Sequence, residues 1–256
     1  MTPDAAGSEA RSSEQRSMEE DDLASSLQGL SVLSTGELPL KELLIRVARY
    51  AVQAIPNADG AGLTLIEQRR SDTIVTTEDF VAEVDAVQYG IGEGPCISAA
   101  RDGVTVMSGS LGGDSRWPRF GGRIARMGVH SALSLPLITS DGVVGAMNIY
   151  AHAKHVFDER AATLGELFAV PAAVAVQNAR VLADTRRLAE RLQSALDERM
   201  IVERAVGIVM SRSGVDEAAA LARLTKLSQH EHVKLVQIAR TLVDEAVRRA
   251  RAIPLD

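Results

Sequence analysis

The sequence predicts two folded parts: an α+β domain with a mostly antiparallel sheet, and an all-α module of three helices that a long helix joins to it. Three observations predict this organisation. A helical pattern and then short strand-like segments occupy residues 37–180, apolar residues then recur every seven positions, and amphipathic helical pieces close the chain. The length of 256 residues corresponds to about one and a half average domains.

Composition and charge exclude several classes of protein. Hydrophobic residues make up 46% of the chain and charged residues 24%, which is ordinary for a globular protein. A single cysteine, Cys96, excludes an intrachain disulfide and a cysteine-cluster metal site, so we expect no metal. The sequence shows neither a signal-peptide pattern nor a long apolar run, so we expect a cytoplasmic protein without a membrane partner.

The first residues are acidic and small. Glu19, Glu20, Asp21 and Asp22 lie among small polar residues, which bury too little apolar area to offset the entropy lost on ordering. Residues 1–36 are therefore predicted to form a disordered acidic tail.

The α+β domain is predicted over residues 37–180. Apolar residues between Leu40 and Ile55 recur at three-and-four spacing, which indicates one face of a helix. Asp141-Gly142 joins the last two strand-like segments and is a strong hairpin signal. The strand-like segments are residues 61–66, 73–77, 104–107, 132–138 and 143–150.

The middle of this domain contains the glycine-rich run Gly90–Cys96. Its alternating glycines match neither a phosphate-binding loop nor a dinucleotide-binding fingerprint. We therefore expect a flexible loop that closes over a pocket.

A long helix follows the α+β domain. Leu167 is the first of six apolar residues that recur every seven positions up to Val202. Because a seven-residue apolar repeat favours a supercoiled helix pair, residues 181–198 are predicted to form a connecting signalling helix that pairs in a homodimer. Pro171 marks a point where this helix kinks or begins.

The C-terminal module is predicted over residues 199–250, followed by a tail of residues 251–256. Gly214 and Asp216 are helix-capping candidates, and residues 228–231 are the next predicted break. Residues 199–256 hold ten Lys or Arg and seven Asp or Glu, a net charge of +3, so the remainder carries −9 of the total of −6. A nucleic-acid contact therefore fits this end of the chain.

Four motifs of the α+β domain resemble those of GAF domains: Gly92–Cys96, Arg116–Phe120, Gly128–Leu137 and Gly145–Tyr150. The resemblance implies an α+β GAF-like fold, with helices on one face of an antiparallel sheet and a small-molecule pocket on the other. It implies an unidentified small-molecule ligand in that pocket. The expected lining is Cys96, Trp117, Phe120, Leu133 and Leu135.

Enzyme chemistry of this fold is not expected in this chain. Free-methionine-sulfoxide reductases of the fold use several cysteines in a disulfide cycle, and only Cys96 is present. No nucleophile–base pair is found, so we assign no catalytic residue and no certain cofactor. Cys96 is interpreted as a small buried side chain, and a redox contact, a ligand contact or bilin attachment are the alternatives.

The C-terminal pieces Glu203–Val215, Asp216–Leu224 and Ser228–Ala239 resemble an ANTAR domain, the RNA-binding module of transcription antitermination regulators. The resemblance implies binding to a hairpin in nascent RNA, where unpaired loop bases are more accessible than a duplex. The candidate RNA-binding residues are Arg204, Arg212, Arg223, Lys226, Lys234 and Arg240 for phosphates, Ser228, His232 and Gln237 for loop bases, and Ala205 and Gly207 for close approach.

Two positions depart from the usual ANTAR pattern. Val206 stands where the family usually has Lys, and Val233 stands where it often has Arg. Both departures remove groups that could contact RNA. The sequence thus predicts a signal-responsive, dimeric RNA-binding antitermination regulator. The alternative is a dimeric GAF signalling module whose C-terminal helices bind a protein partner.

Overall fold

The computed structural model describes residues 3–33, 38–67 and 70–251. The chain divides into two compact units, Met1–Ala183 and Asp184–Asp256. The elements are α1 (Pro3–Leu33), α2 (Leu40–Ala54), β1 (Gly60–Glu67), β2 (Arg70–Thr76), α3 (Asp79–Ile91), α4 (Pro95–Asp102), β3 (Val106–Ser108), α5 (Pro118–Arg126), β4 (Ser131–Thr139), β5 (Gly142–Ala151), α6 (Glu159–Ser213), α7 (Glu217–Glu231) and α8 (Leu235–Arg251).

The predicted antiparallel sheet is confirmed. Its five strands lie in the order β2-β1-β5-β4-β3, and every neighbouring pair is antiparallel. β4 and β5 pair along their whole length, from Ser131 opposite Ala151 to Thr139 opposite Gly142. Gly142 adopts a φ of 104°, a conformation that favours glycine and closes this hairpin tightly.

Helices cover both faces of the sheet, whereas the resemblance implied helices on one face only. On one face, Leu133 and Leu135 share a core with residues of α2 and of α6, including Phe168. On the other face, the neighbouring residue Ala132 shares a second core with residues of α3, α4 and α5, including Phe120. Because side chains alternate along a strand, each strand contributes to both cores.

The predicted disordered tail over residues 1–36 is wrong for the part that the structure describes, which forms α1. Leu23, Leu30 and Leu33 are buried in the core shared with α2. A Cβ on Gly29 would come within 2.4 Å of the Tyr50 ring, so this glycine lets the ring pack directly against the backbone of α1. The composition argument missed the helical spacing of these leucines.

The acidic run of α1 also has a partner. Arg160, near the start of α6, donates from Nε to Glu19 at 2.6 Å and from Nη2 to Glu20 at 3.0 Å. These carboxylates therefore connect α1 to α6 within the N-terminal unit. A charged segment that appears fully solvated in the sequence contributes in this way to tertiary structure.

The glycine-rich run Gly90–Cys96 spans the end of α3, a tight turn of residues 92–94 and the start of α4, where a flexible loop was expected. Gly92 ends α3 with a φ of 73°. Gly94 precedes α4, and a Cβ there would lie 2.2 Å from Oε1 of Gln88. Gly92 is needed because glycine adopts this positive φ without strain. Gly94 is needed because the buried Gln88 side chain occupies the space that a Cβ would fill.

The C-terminal unit contains the predicted three-helix module. The last turns of α6 pack with α7 and α8 around Ala205, Val206, Ala220, Leu224 and Ala239. Asp216 caps α7 by accepting from the backbone N–H of Ala219 at 2.8 Å, as its position predicts. The break before α8 falls at residues 232–234, later than predicted, because α7 continues to Glu231.

The connecting segment is one part of the continuous helix α6, and Pro171 lies inside this helix rather than at its start. The apolar side chains of the connecting segment are exposed: Leu188, Leu192 and Leu196 each expose more than half of their surface.

Along the described ranges, no helix combines the length and the apolar content that a bilayer crossing requires.

Two adjacent glycines of α5 provide a test of the packing. A Cβ on Gly121 would lie 1.9 Å from the Leu111 carbonyl oxygen, whereas a Cβ on Gly122 would meet nothing within 4 Å. Gly121→Ala is expected to lower the free energy of unfolding by about 1–3 kcal/mol through overpacking. Gly122→Ala is expected to raise it by about 0.5–1 kcal/mol, because alanine favours a helix. Urea denaturation measures both, and equal effects would contradict the packing described.

Candidate functional site

A buried polar cluster lies between the sheet and α3. Asp85 and Gln88 of α3, Ser134 of β4, and Asn148 and Tyr150 of β5 are all fully buried. Buried polar groups are costly unless they are hydrogen-bonded. Their contacts therefore fix how α3 sits on the sheet.

Asp85 is an acceptor at the centre of the cluster. Its Oδ1 accepts from the Tyr150 hydroxyl at 2.7 Å and from Asn148 Nδ2 at 3.3 Å. Asn148 in turn accepts at Oδ1 from the Ser134 hydroxyl at 3.0 Å. A Cβ on Gly62 would lie 2.6 Å from Asp85 Oδ2, so the bare backbone of β1 leaves room for the carboxylate.

Cys96 lies beside this cluster. The Tyr89 hydroxyl is 2.5 Å from Thr64 Oγ1 and 3.2 Å from Cys96 Sγ. Burial, and next the negative charge of Asp85, raises the pKa of the Cys96 thiol from 9.0 to about 11. Burial also raises the pKa of Tyr89. Both groups are therefore protonated at neutral pH, and the thiol is a poor nucleophile.

Side chains of α3 and of the following turn position the next two helices. Gln88 Oε1 accepts from the backbone N–H of Cys96 at 3.0 Å, at the start of α4. The Glu93 carboxylate accepts from the backbone N–H groups of Arg119 at 2.8 Å and Phe120 at 3.2 Å, at the start of α5. A carboxylate at a helix N-terminus satisfies free N–H groups and complements the helix dipole.

A polar cavity of about 530 Å³ opens beside the turn and α4, and Ser98, Arg101 and Trp117 are among the residues that line it. Trp117 Nε1 donates to Ser98 Oγ at 3.0 Å, and the Arg116 guanidinium lies 4.3 Å from the Trp117 ring centroid. The cavity is the candidate ligand site of the N-terminal unit.

An ion pair fixes the cation at the cavity wall. Arg116 donates to both carboxylate oxygens of Asp114, at 2.9 and 2.7 Å. These contacts hold the pKa of Asp114 at about 2, well below its usual range. Arg116 also donates to the Met107 carbonyl oxygen at 2.6 Å, so its guanidinium is held in place before any ligand arrives.

The structure brings together only part of the predicted pocket. Trp117 lines the cavity, Cys96 is buried next to Tyr89, and Phe120 belongs to the core beneath α5. The structure does not bring Leu133 and Leu135 together with Trp117, because both side chains lie in the core on the opposite face of the sheet, where Leu135 also lines a separate cavity of about 360 Å³.

The polar members of the cluster were not predicted from the sequence. Thr64 lies between Leu63 and Leu65, Ser134 between Leu133 and Leu135, and Asn148 between Met147 and Ile149. Each is a single polar residue between two apolar residues of a buried strand, so it lies on the face opposite to its two neighbours. This placement is the signal that could have identified them.

The C-terminal unit presents the candidate RNA-binding cations on its surface. Arg204, Arg212, Arg223, Lys226 and Arg240 are exposed. None of the ion pairs within the described ranges involves these five side chains. They are therefore available to an anionic partner.

One predicted RNA-binding position of the first ANTAR-like helix, and the departure next to it, lie in the core instead of on the surface. Ala205 is fully buried, so the expectation that it contacts RNA is wrong. Val206 is also buried and packs with Ala220 and Leu224. The valine that replaces the usual lysine therefore contributes apolar packing. Gly207 is exposed, and a Cβ there would meet nothing within 4 Å.

The turn between α7 and α8 uses one further candidate structurally. The Ser228 hydroxyl donates to the Val233 carbonyl oxygen at 2.5 Å, which closes the turn. His232 is exposed in the left-handed conformation, with a φ of 55°. Lys234 and Gln237 are exposed at the start of α8. Ser228 thus has a structural partner, while the other three side chains remain open to contacts.

In the described ranges, no group of three His, Cys, Asp or Glu side chains is arranged to hold a metal ion.

Comparisons with known proteins agree with this geometry. The family model of the GAF domain matches residues 37–177, and that of the ANTAR domain matches residues 190–243. A comparison with curated proteins gives no match.

Solved structures show the fold of the N-terminal unit. The GAF domain of a phosphoenolpyruvate-protein phosphotransferase from Coxiella burnetii is 16% identical with a TM-score of 0.51, over 64% of this chain and 97% of that one. A putative GAF sensor protein from Burkholderia vietnamiensis is 14% identical with a TM-score of 0.51, over 63% and 98%. A free methionine-R-sulfoxide reductase from Neisseria meningitidis is 16% identical with a TM-score of 0.48, over 62% and 91%.

The raised pKa of Cys96 gives a direct test. A rise from 9.0 to about 11 lowers the thiolate fraction at pH 8 about a hundredfold. Iodoacetamide is therefore expected to alkylate Cys96 in the folded protein at least about a hundredfold more slowly than in the chain unfolded in guanidinium, as followed by mass spectrometry. Rapid alkylation of the folded protein would show that the thiol is ionised and would favour the redox interpretation.

Proposed function

The chain belongs to the GAF domain family and carries an ANTAR domain, which makes it a signal-regulated antitermination regulator, and we propose that it acts as a homodimer that binds hairpin RNA. The proposed signal is a small molecule or a redox state sensed by the GAF domain. The ANTAR domain would hold a hairpin in nascent RNA and so disfavour a terminator. The observation that carries the proposal is the ANTAR domain with exposed cations that have no ion-pair partner among the described residues.

The distribution of charge supports RNA as the partner. The chain as a whole carries −6, yet residues 199–256 carry +3. The exposed cations Arg204, Arg212, Arg223, Lys226 and Arg240 make no ion pair in the part of the chain that is described, whereas Arg199 and Arg249 pair with glutamates four residues away. Cations without protein partners can neutralise phosphates, which is the main source of RNA affinity.

The exposed face of α6 supports dimerisation. Val181, Leu182, Leu188, Leu192 and Leu196 leave between 44% and 58% of their surface exposed within one chain. A stripe of this length on a single helix is stable in water when a second copy of the helix covers it. Two RNA-binding modules in one dimer would also reinforce weak individual contacts.

The cavity beside Trp117 supports ligand sensing. It combines an aromatic ring, a fixed guanidinium and hydroxyl groups in a space that a small metabolite can fill. The raised pKa of Cys96 favours a small-molecule signal over a thiolate-based redox signal. Ligand binding affects RNA binding only where the ligand prefers one arrangement of the dimer.

RNA binding is tested by crosslinking the full-length protein to RNA in cells and sequencing the recovered RNA. We expect enrichment of hairpins, which then bind the purified protein with an affinity that falls as salt concentration rises. The matched control is the same stem closed as a continuous duplex, which should bind more weakly because its bases are inaccessible. Recovery of no enriched hairpin would contradict the proposal and favour a protein partner for the C-terminal helices.

Dimerisation is tested by placing charge on the α6 stripe. The double substitution Leu188→Glu and Leu192→Glu is expected to convert the dimer to a monomer in analytical ultracentrifugation, because buried carboxylates would face each other. Leu221→Glu on α7 is the matched control, since Leu221 is 40% exposed and lies outside the stripe. A wild-type monomer, or a double variant that remains dimeric, would contradict pairing through this helix.

A further inference from the structure

A groove of about 580 Å³ lies within the C-terminal unit, between the last turns of α6 and the last turns of α8. Its floor is apolar and includes Ile208, Val243 and Val247. Gly207 also lines it, and the missing side chain leaves open space beside the helix. Val247 is 44% exposed, so this surface is only partly covered by the chain itself.

The rim of the groove is positively charged. Arg204 and Arg212 lie on the α6 side, and neither makes an ion pair in the described part of the chain. They are eight residues apart, which corresponds to about 12 Å along a helix. The last turn of α8 also contains Arg248, Arg249 and Arg251, none of which lines the groove itself, and Arg249 alone of these pairs with a carboxylate among the described residues. Among the described residues, no acidic side chain lines the groove.

An apolar floor between two guanidinium groups matches the chemistry of an unpaired nucleotide. A base offers an apolar face that needs to leave water, and its flanking phosphates need cations on either side. Arginine suits both tasks, because its planar group binds phosphate in a bidentate manner and stacks on a base. Three candidate RNA-binding residues, Arg204, Gly207 and Arg212, line this one groove.

We propose that the α6–α8 groove receives an unpaired base of the RNA loop, with Arg204 and Arg212 contacting the phosphates on either side. This inference rests on the proposed RNA-binding function and assigns it to one surface. It also extends the RNA contact to the second half of α8, because Ala246, Val247 and Ala250 lie beyond residue 243, where the match to the ANTAR family model ends.

Photocrosslinking tests the location directly. The probe is a pool of RNA stem–loops with randomised loop sequences in which every loop uridine is photoactivatable thiouridine. After irradiation with the full-length protein, we expect crosslinked peptides from residues 204–212 and 243–250. Crosslinks confined to α7 or to the N-terminal unit would overturn the groove assignment while leaving RNA binding intact. A complete absence of crosslinks would overturn RNA binding itself, and this proposal with it.

Variants test the two chemical roles of the groove separately. Val247→Trp fills the floor and is expected to weaken binding of the selected stem–loops at least about tenfold with little change in the salt dependence. Leu227→Trp on α7 is the matched control, because Leu227 is 45% exposed and lies outside the groove. A Val247→Trp protein with wild-type helicity and wild-type RNA affinity would overturn the proposal and leave the groove to a protein partner.

The arginines are tested by their effect on salt dependence. Arg204→Ala with Arg212→Ala is expected to reduce the slope of log affinity against log salt by about 1.4, since each single-strand phosphate contact contributes about 0.7. Arg223→Ala with Lys226→Ala removes the same charge from α7. A larger loss of slope in the α7 pair than in the groove pair would overturn the proposal.

Discussion

The fully buried carboxylate of Asp85 is the constraint on which the N-terminal unit depends. A charged group can remain in such a site only while hydrogen-bond donors surround it. Tyr150 and Asn148 supply two of them from β5, and Gly62 of β1 leaves the space that the carboxylate occupies. These hydrogen bonds to Asp85 therefore determine the position of α3 on the sheet as much as apolar packing does.

Side chains of α3 and of the turn after it position the helices around the candidate ligand cavity. Gln88 fixes the first turn of α4 through the backbone N–H of Cys96. The turn after α3 places Glu93 at the start of α5. The residue before α5 is Trp117, and its indole reaches back to Ser98 of α4. A ligand that changes one wall of the cavity thus acts on groups that are already connected to the buried cluster.

Regular patterns made much of the fold predictable. Short strand-like segments and the Asp141-Gly142 turn located the strands, and the three-and-four spacing located α2. The side of a strand that faces a given helix is a tertiary property, so the sequence pattern did not separate Leu133 and Leu135 from Trp117. Surface and core positions of a short helical module are equally hard to separate, as buried Ala205 shows. In α1, three buried leucines pack in the core shared with α2, although the acidic composition of this segment had predicted disorder.

The order of elements along the chain also has a consequence for biosynthesis. The face of the sheet that carries Leu135 is completed by α6, and Gly165 of α6 lies directly against the Leu135 side chain. Ribosomes add about 5–20 residues per second. The leucines of β4 are therefore made, and leave the ribosome, roughly 2 to 8 seconds before the end of the buried part of α6, Val176. During this interval the apolar face of the nascent sheet lacks α6 and is open to molecular chaperones, and a chain released before α6 has been made keeps that surface exposed.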